Sequence, residues 1–388
     1  MSSPRTQSVA STDESCARST YIRDLPEQEQ ALARGLLQAC EKSDVKEVAR
    51  LLDCDQLPSF SLQDDDGWTA LHYAATSSST EVIKLLLGAG ALWAMTDHLG
   101  HTAGDVAFSM NDKPMYDLFC DHGFRAEMLR RALDAKLSLS DDSSVPMKSR
   151  TEVTTASDNA AFLASRLTYQ TNSTGQAVCM DSEGNGVMLG WEDNIMRQTA
   201  ERLCEHQKNC ENFELSVLNV GFGLGLVDSY LQTHSPHRHV IIEPHPDVLR
   251  FMEQNGWHLK PGVEIYRGRW QAFFEEVEAG KIVANFDAIY WDTFSENYDD
   301  LKEVFDRVFN MLSGPNSRFS WFHGLGATSA TLYEIYTRIA ELDLHEAGFK
   351  TIWHEVDVEG GEAIWEGIKR RYWNIPTPYR LPICMYDM

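Results

Sequence analysis

The chain has 388 residues, 43% of them apolar, which suits two domains better than one core. Its formal charge of −24 excludes direct nucleic-acid binding as the main role, because a phosphate backbone needs a basic surface, and favours a basic protein or a small cation. No run of 18 apolar residues occurs, so no membrane span is expected.

Residues 1–20 are Ser- and Thr-rich and lack the apolar segment of a secretory signal; disorder is expected there, and the cytoplasm and nucleus are the expected compartments. The eight cysteines are scattered without a CxxC pair and read as reduced thiols. His234, His237 and His239 crowd one turn without matching carboxylate or cysteine spacing, so no metal site is expected.

Residues 21–134 read as an all-α domain. Two short helices fit Glu27 to Leu52, with a turn at Lys42, Ser43 and Asp44. The following segment repeats itself. Gly67 and Gly100 stand 33 residues apart, as do Thr69 and Thr102, and Ala70 and Ala103. With its TALHYAA helix start and GA turn, this stretch resembles the ankyrin repeat. Each such helix pair has an apolar side that only a neighbouring pair can bury. Leu71, Ala74, Ala75, Val82, Leu85 and Leu86 are the core candidates, and His72 reads as a hydrogen bonder within its helix turn. A protein partner on the ankyrin surface is one expectation; a short structural appendage is the other.

Residues 135–158 are polar and Ser/Thr-rich and mark a linker. Residues 159–388 then alternate between helix and strand. A helix is expected over Ala160 to Leu167, followed by short extended pieces separated by turns at Ser173 to Gly175 and Gly184 to Gly186. Asn194 to His206 reads as a helix with Ile195, Met196 and Leu203 inward. Strands are expected at Leu215 to Val220, Val240 to Glu243, Glu264 to Arg267, Phe286 to Tyr290 and Arg318 to Trp321, with late strands at Lys350 to Val358 and Tyr372 to Asn374. Helices at Leu226 to Thr233, Pro246 to Asn255, Trp270 to Glu278, Asp300 to Met311 and Ser329 to Glu341 complete the pattern. The alternation implies an α/β fold with a mostly parallel sheet and ligands at the strand C-termini.

The chemistry gathers in that domain. Gly221, Phe222, Gly223, Leu224 and Gly225 form a GxGxG turn after the apolar strand SVLNV, and Glu243 ends the next strand 18 residues beyond Gly225. Glycines let backbone approach a ligand, and an acid at the end of that strand can accept ribose hydroxyls. The third glycine of GxGxxG is missing, because Leu226 occupies its position. Without a pyrophosphate to cradle, S-adenosylmethionine is the better ligand than a dinucleotide. Pro244 follows the acid; Trp270 is placed to wall the adenine and Gln271 to reach its edge. Glu192 lies in GWEDN ahead of a helix, and Asp292 follows the strand DAIYW, where the cofactor methyl should point. Two carboxylates around one guanidinium fix its position and plane. Glu192 and Asp292 are therefore the catalytic candidates; Trp191, Thr293 and His323 join them as candidates for substrate contact.

Taken in order, Gly190-Trp191-Glu192, LNVGFGLG, VIIEPHP, GRW and YWDT resemble the guanidinoacetate N-methyltransferase branch of the class I, Rossmann-like methyltransferases. With the ankyrin-like region ahead of them, the closer resemblance is to the fungal protein arginine N5-methyltransferases. It covers the chain from about Leu167 onward. It implies S-adenosylmethionine at Gly221, Gly223, Glu243 and the Trp270 region, a guanidino group held by Glu192 and Asp292, and an arginine in a protein, most plausibly ribosomal, as methyl acceptor. Gln271 departs from the Glu of the guanidinoacetate enzymes. Two alternatives remain open: a methyltransferase acting on a small guanidine, and an ankyrin adaptor whose methyltransferase domain is inert.

Overall fold

The structure, a computed structural model, describes residues 21–55, 59, 61–138, 154–205, 214–358 and 361–387. The expected disorder at 1–20 and most of the expected linker lie outside these residues. The chain divides into two compact units, residues 1–119 and 120–388.

The first unit consists of paired helices: α1 (Glu27–Glu41) with α2 (Val45–Leu52), α3 (Ala70–Thr76) with α4 (Thr80–Gly88), and α5 (Ala103–Ser109) with the start of α6 (Lys113–Ser138). Successive pairs stack, α1 on α3, α3 on α5 and α2 on α4. Leu71, Ala74, Ala75, Val82 and Leu86 are buried in one continuous core with Leu36, Val48, Ala103 and Phe119, and Leu85 packs partly against it. Polar groups inside the stack are spoken for. Thr69 donates its backbone N–H to His72 Nδ1 (3.1 Å), and the other ring nitrogen meets the carbonyl of His101 (3.1 Å). Thr102 and Asp105 form a reciprocal capping box at the start of α5.

Helix α6 runs through the boundary expected at 134. Its C-terminal half belongs to the second unit, where Arg131 pairs with Asp343 at 2.7 Å.

Beyond α6, the second unit continues with α7 (Asn159–Ala164), three residues shorter at its end than expected; Leu167 instead leads into strand. Strands β1 (Thr168–Thr171), β2 (Ala177–Met180) and β3 (Gly186–Leu189) form an antiparallel sheet of their own. A 3-10 turn over Gly190–Glu192 leads into α8 (Asp193–Leu203), which buries Ile195, Met196 and Leu203.

The main sheet follows. Its strands are β4 (Ser216–Val220), β5 (Arg238–Glu243), β6 (Val263–Arg267), β7 (Ala288–Trp291), β8 (Arg318–Trp321), β9 (Phe349–Val356) and β10 (Tyr379–Tyr386). Helices α9 (Leu226–Gln232), α10 (Pro246–Gln254), α11 (Trp270–Glu278), α12 (Tyr298–Val308) and α13 (Ala330–Glu346) connect them. The order is β6-β5-β4-β7-β8-β10-β9, parallel from β6 to β8, with β10 antiparallel to both neighbours. This is the expected Rossmann-like architecture. The chain winds outward from β4 in both directions, so the carboxyl ends of β4, β5 and β7 face a common crevice.

Two expectations need correction. Tyr372 to Asn374 is not a strand; the last strand is β10, in which Pro382 lies opposite Trp353 of β9. Phe286 does not begin β7; it bridges to Leu312, and the strand starts at Ala288.

Candidate active site

At the carboxyl ends of β4, β5 and β7 lies a cavity of about 310 Å³. Its walls include Gly221, Phe222, Gly223, Glu243, Pro244 and Trp270 together with Glu192, Asp292 and Thr293. The structure therefore brings together nine of the residues singled out from the sequence.

The glycine turn owes its shape to close backbone packing. Gly221 has φ +91°, and a Cβ there would sit 1.8 Å from the carbonyl oxygen of Asp292. Only glycine lets the end of β4 lie against the residue that carries the carboxylate. Gly225 (φ +72°) caps α9 in the left-handed region, and a Cβ there would meet the Phe222 ring at 2.3 Å. Gly225 does not line the cavity; it supports the turn that does. Leu224 is likewise absent from the wall and packs in the cluster around Phe162 and Phe222.

Glu243 is buried at the tip of β5. Its two oxygens accept the N–H groups of Phe222 (3.0 Å) and His245 (2.7 Å), which hold the carboxylate plane across the turn. Burial nevertheless pushes its carboxyl up to about 7, outweighing those two bonds. Each oxygen keeps a lone pair beyond its backbone donor, so the group can still accept hydroxyls.

Glu192 is only 3% exposed, in the 3-10 turn before α8. One oxygen accepts the Leu189 N–H (2.8 Å) and the hydroxyl of Tyr372, a residue 180 positions away in the chain. Burial raises its carboxyl to about 7 against these bonds. Asp292 lies at the end of β7, held by its N–H to the Val220 carbonyl (2.8 Å). Burial, and then the charge of Glu192, lift its carboxyl well above the ordinary range. Among the described residues no side chain donates a hydrogen bond to the Asp292 carboxylate. Two acids thus face one cavity, the charge of Glu192 disfavouring that of Asp292, and among the described residues no cation counts among the causes of either shift. Such a pair is relieved by a bound cation.

A third acid, Glu296, was not foreseen. It lines the same cavity and accepts from Trp270 Nε1 (2.8 Å) and Thr293 Oγ1 (2.6 Å), with Gln271 Nε2 at 3.5 Å. Gln271 is therefore turned toward Glu296 and does not line the cavity, while Trp270 keeps its place on the wall with its indole N–H engaged. Tyr372 was also missed as a site residue, although Arg371-Tyr372-Trp373 resembles the closing RYY stretch of the guanidinoacetate enzymes; Glu296 carries no sequence signal beyond its residue type.

Trp191 and His323 stand back from the wall. Trp191 packs against Trp365, Tyr372 and Trp373. His323 is fully buried, stacked 4.4 Å from Tyr333, with Nε2 against Thr337 Oγ1 (2.7 Å). Its imidazole is filling the core beside β8.

Comparison with known proteins places this arrangement in a family. The ankyrin repeat family, in three copies, matches residues 35–129, and guanidinoacetate N-methyltransferase matches residues 162–318. Protein arginine N-methyltransferase 2 of Cryptococcus neoformans is 37% identical, covering 92% of this chain and 96% of the relative. The proteins of that name in Aspergillus oryzae and Saccharomyces cerevisiae are 32% and 31% identical, over 99% and 76% of this chain and 93% and 75% of the relatives. The chain belongs to the protein arginine N-methyltransferase 2 family, and its repeats and its α/β domain are those the sequence motifs implied.

Proposed function

We propose that this member of the protein arginine N-methyltransferase 2 family carries a methyl group from S-adenosylmethionine to the internal δ nitrogen of an arginine in a protein, and that the acceptor is ribosomal. The observation that carries the reading is the pair Glu192, buried, and Asp292, half-buried, facing one cavity beside the glycine turn. The cavity's chemistry fits the cofactor: glycine backbone, the buried Glu243 with lone pairs to spare, and the Trp270 wall are what a nucleoside needs. Gly221, Phe222, Gly223, Glu243 and Trp270 would hold it, and when bound it supplies a sulfonium methyl as electrophile.

The residues of the chain do the rest by placement. A guanidinium presents a planar fork of donors and keeps its charge at any ordinary pH. Glu192 offers the oxygen that Leu189 and Tyr372 do not use, and Asp292 offers a carboxylate with no side-chain donor among the described residues. Bidentate contacts of this kind set the plane of the acceptor and present a chosen nitrogen. A methylated guanidinium has one N–H fewer than its precursor, so one proton must leave. Asp292, with its raised carboxyl, is suited to take it at a carboxylate oxygen. Positive charge is opposed throughout by groups already in place.

The test is to incubate the full chain with labelled S-adenosylmethionine and a ribosomal protein fraction, then fragment the labelled arginine in a mass spectrometer. Label on the δ nitrogen is expected. Label on the terminal nitrogens alone, or none, overturns the reading. The match to guanidinoacetate N-methyltransferase favours a second reading, a free guanidino acid as acceptor. Faster turnover of guanidinoacetate than of protein would select it.

A further inference from the structure

A second cavity, about 370 Å³, adjoins the first and shares Gly186, Phe294, Gly324 and Tyr372 with it. Its remaining walls are mostly small, Ala156, Gly326, Ala327 and Thr328, but Arg370 and Arg371 stand at its edge. Two features make this a built site. The segment carrying the arginines is pinned on both sides, by Lys369 N–H to the Gly184 carbonyl (2.9 Å) and Asn374 N–H to the Ala327 carbonyl (2.8 Å). The same segment places Tyr372 on Glu192, so Tyr372 forms the partition between the cavities.

The charges differ across that partition. The first cavity holds the acids Glu192 and Asp292; the second is edged by two cations in a chain of net charge −24. Arg371 is paired with the exposed Glu362. Arg370 is exposed, and among the described residues no carboxylate pairs with it. The two cavities meet at Gly186, Phe294, Gly324 and Tyr372, so an acceptor that runs from the first cavity past Tyr372 would bring its next groups to the lining that carries Arg370 and Arg371.

We propose that the second cavity is a subsite for a carboxylate on the methyl acceptor, held at Arg370, so that preferred acceptor arginines have an acidic residue close by in the polypeptide. This rests on the methyl-transfer reading for the first cavity. An arginine fork on a fixed backbone favours bidentate contact with a carboxylate. Its exposure limits the pair to a modest preference, well short of an absolute requirement.

The test uses the full chain with three synthetic peptides of one sequence, in which the arginine is flanked by Glu, Gln or Lys, and with guanidinoacetate as the small acid. Peptide binding is titrated in the presence of S-adenosylhomocysteine, and methyl transfer is followed separately. The Glu peptide is expected to bind about fivefold tighter than the Gln peptide, with a correspondingly lower KM and an unchanged kcat. Arg370→Ala should erase that difference while leaving the Gln peptide unaffected, and Arg370→Glu should shift the preference to the Lys peptide. Guanidinoacetate binding that weakens with Arg370→Ala while peptide preferences stay unchanged would overturn the polypeptide assignment. Equal binding of the three peptides, or an equal loss for all three in Arg370→Ala, overturns the subsite. Flank-dependent binding without any transfer supports the subsite and overturns the methyl-transfer reading instead.

Discussion

The two units treat their buried polar groups in opposite ways. In the ankyrin repeats such groups are satisfied within the chain. His72 bonds through both ring nitrogens, Asp105 closes a capping box with Thr102, and the Gln63 amide donates to the carbonyls of Gly67 (2.8 Å) and Thr96 (2.9 Å). In the cavity of the second unit, Glu192, Glu243, Asp292 and Glu296 are acids whose charge burial disfavours, and among the described residues no cation counts among the causes of the Glu192 and Asp292 shifts. A satisfied buried polar group explains a fold. A set of acids whose charge burial disfavours is what the proposed cation site rests on, because the partner would come from outside.

The contrast can be broken most strongly at Asp292. Replacement by Asn keeps the shape and removes the charge; methyl transfer should fall by roughly 10² to 10³-fold, while S-adenosylmethionine affinity, measured by titration, stays within a few-fold. The opposite intervention is Leu86→Ala in the repeats, where the buried side chain leaves a cavity. It should cost about 3 kcal/mol in denaturant unfolding of the repeats and leave cofactor affinity of the α/β domain unchanged. Glu243→Gln sharpens the comparison through stability. A carboxyl raised to about 7 in the folded chain lends stability that is complete below its unfolded value near 4.5 and is lost as pH rises through about 7. Removing the acid should therefore weaken cofactor binding by about tenfold without lowering the Tm at pH 8, an outcome no satisfied polar group would give.

Activity should run the other way with pH. Holding a guanidinium needs both Glu192 and Asp292 ionised, and burial raises both carboxyls, so kcat/KM should climb with pH through about 7, where Glu192 ionises. Glu192→Gln should lower activity and make the rise with pH less steep, because the ionisation of Asp292 remains. The smallest effect belongs to the repeats. Thr102→Ala removes the capping box of α5 and should cost about 1 kcal/mol in thermal unfolding, with no change in the pH profile.

Much of this was readable in the sequence where local pattern and tertiary role agree. Helix α11, Trp270–Glu278, and strand β8, Arg318–Trp321, lie where their patterns predict. Strand β10 was hidden because Pro376, Pro378 and Pro382 read as breaks, although Pro382 is accommodated in the antiparallel ladder opposite Trp353. Among the cavity-lining residues, Glu192, Glu243 and Asp292 could be picked out because each ends or follows an element at a position that chemistry favours. Tyr372 and Glu296 could not, because their roles depend on contacts that spacing does not encode: a hydroxyl meeting Glu192 across 180 residues, and a carboxylate folding back onto Trp270. Gly225 and Leu224 show the reverse. The motif includes them, yet they shape the turn from behind.

The most direct measurement is a crystal structure of the full chain with S-adenosylhomocysteine and an arginine peptide. The guanidinium should lie between Glu192 and Asp292, each within hydrogen-bonding distance, with its δ nitrogen toward the cofactor sulfur. A guanidinium bound elsewhere, or held by only one of the two acids with a terminal nitrogen facing the sulfur, would contradict the proposed chemistry.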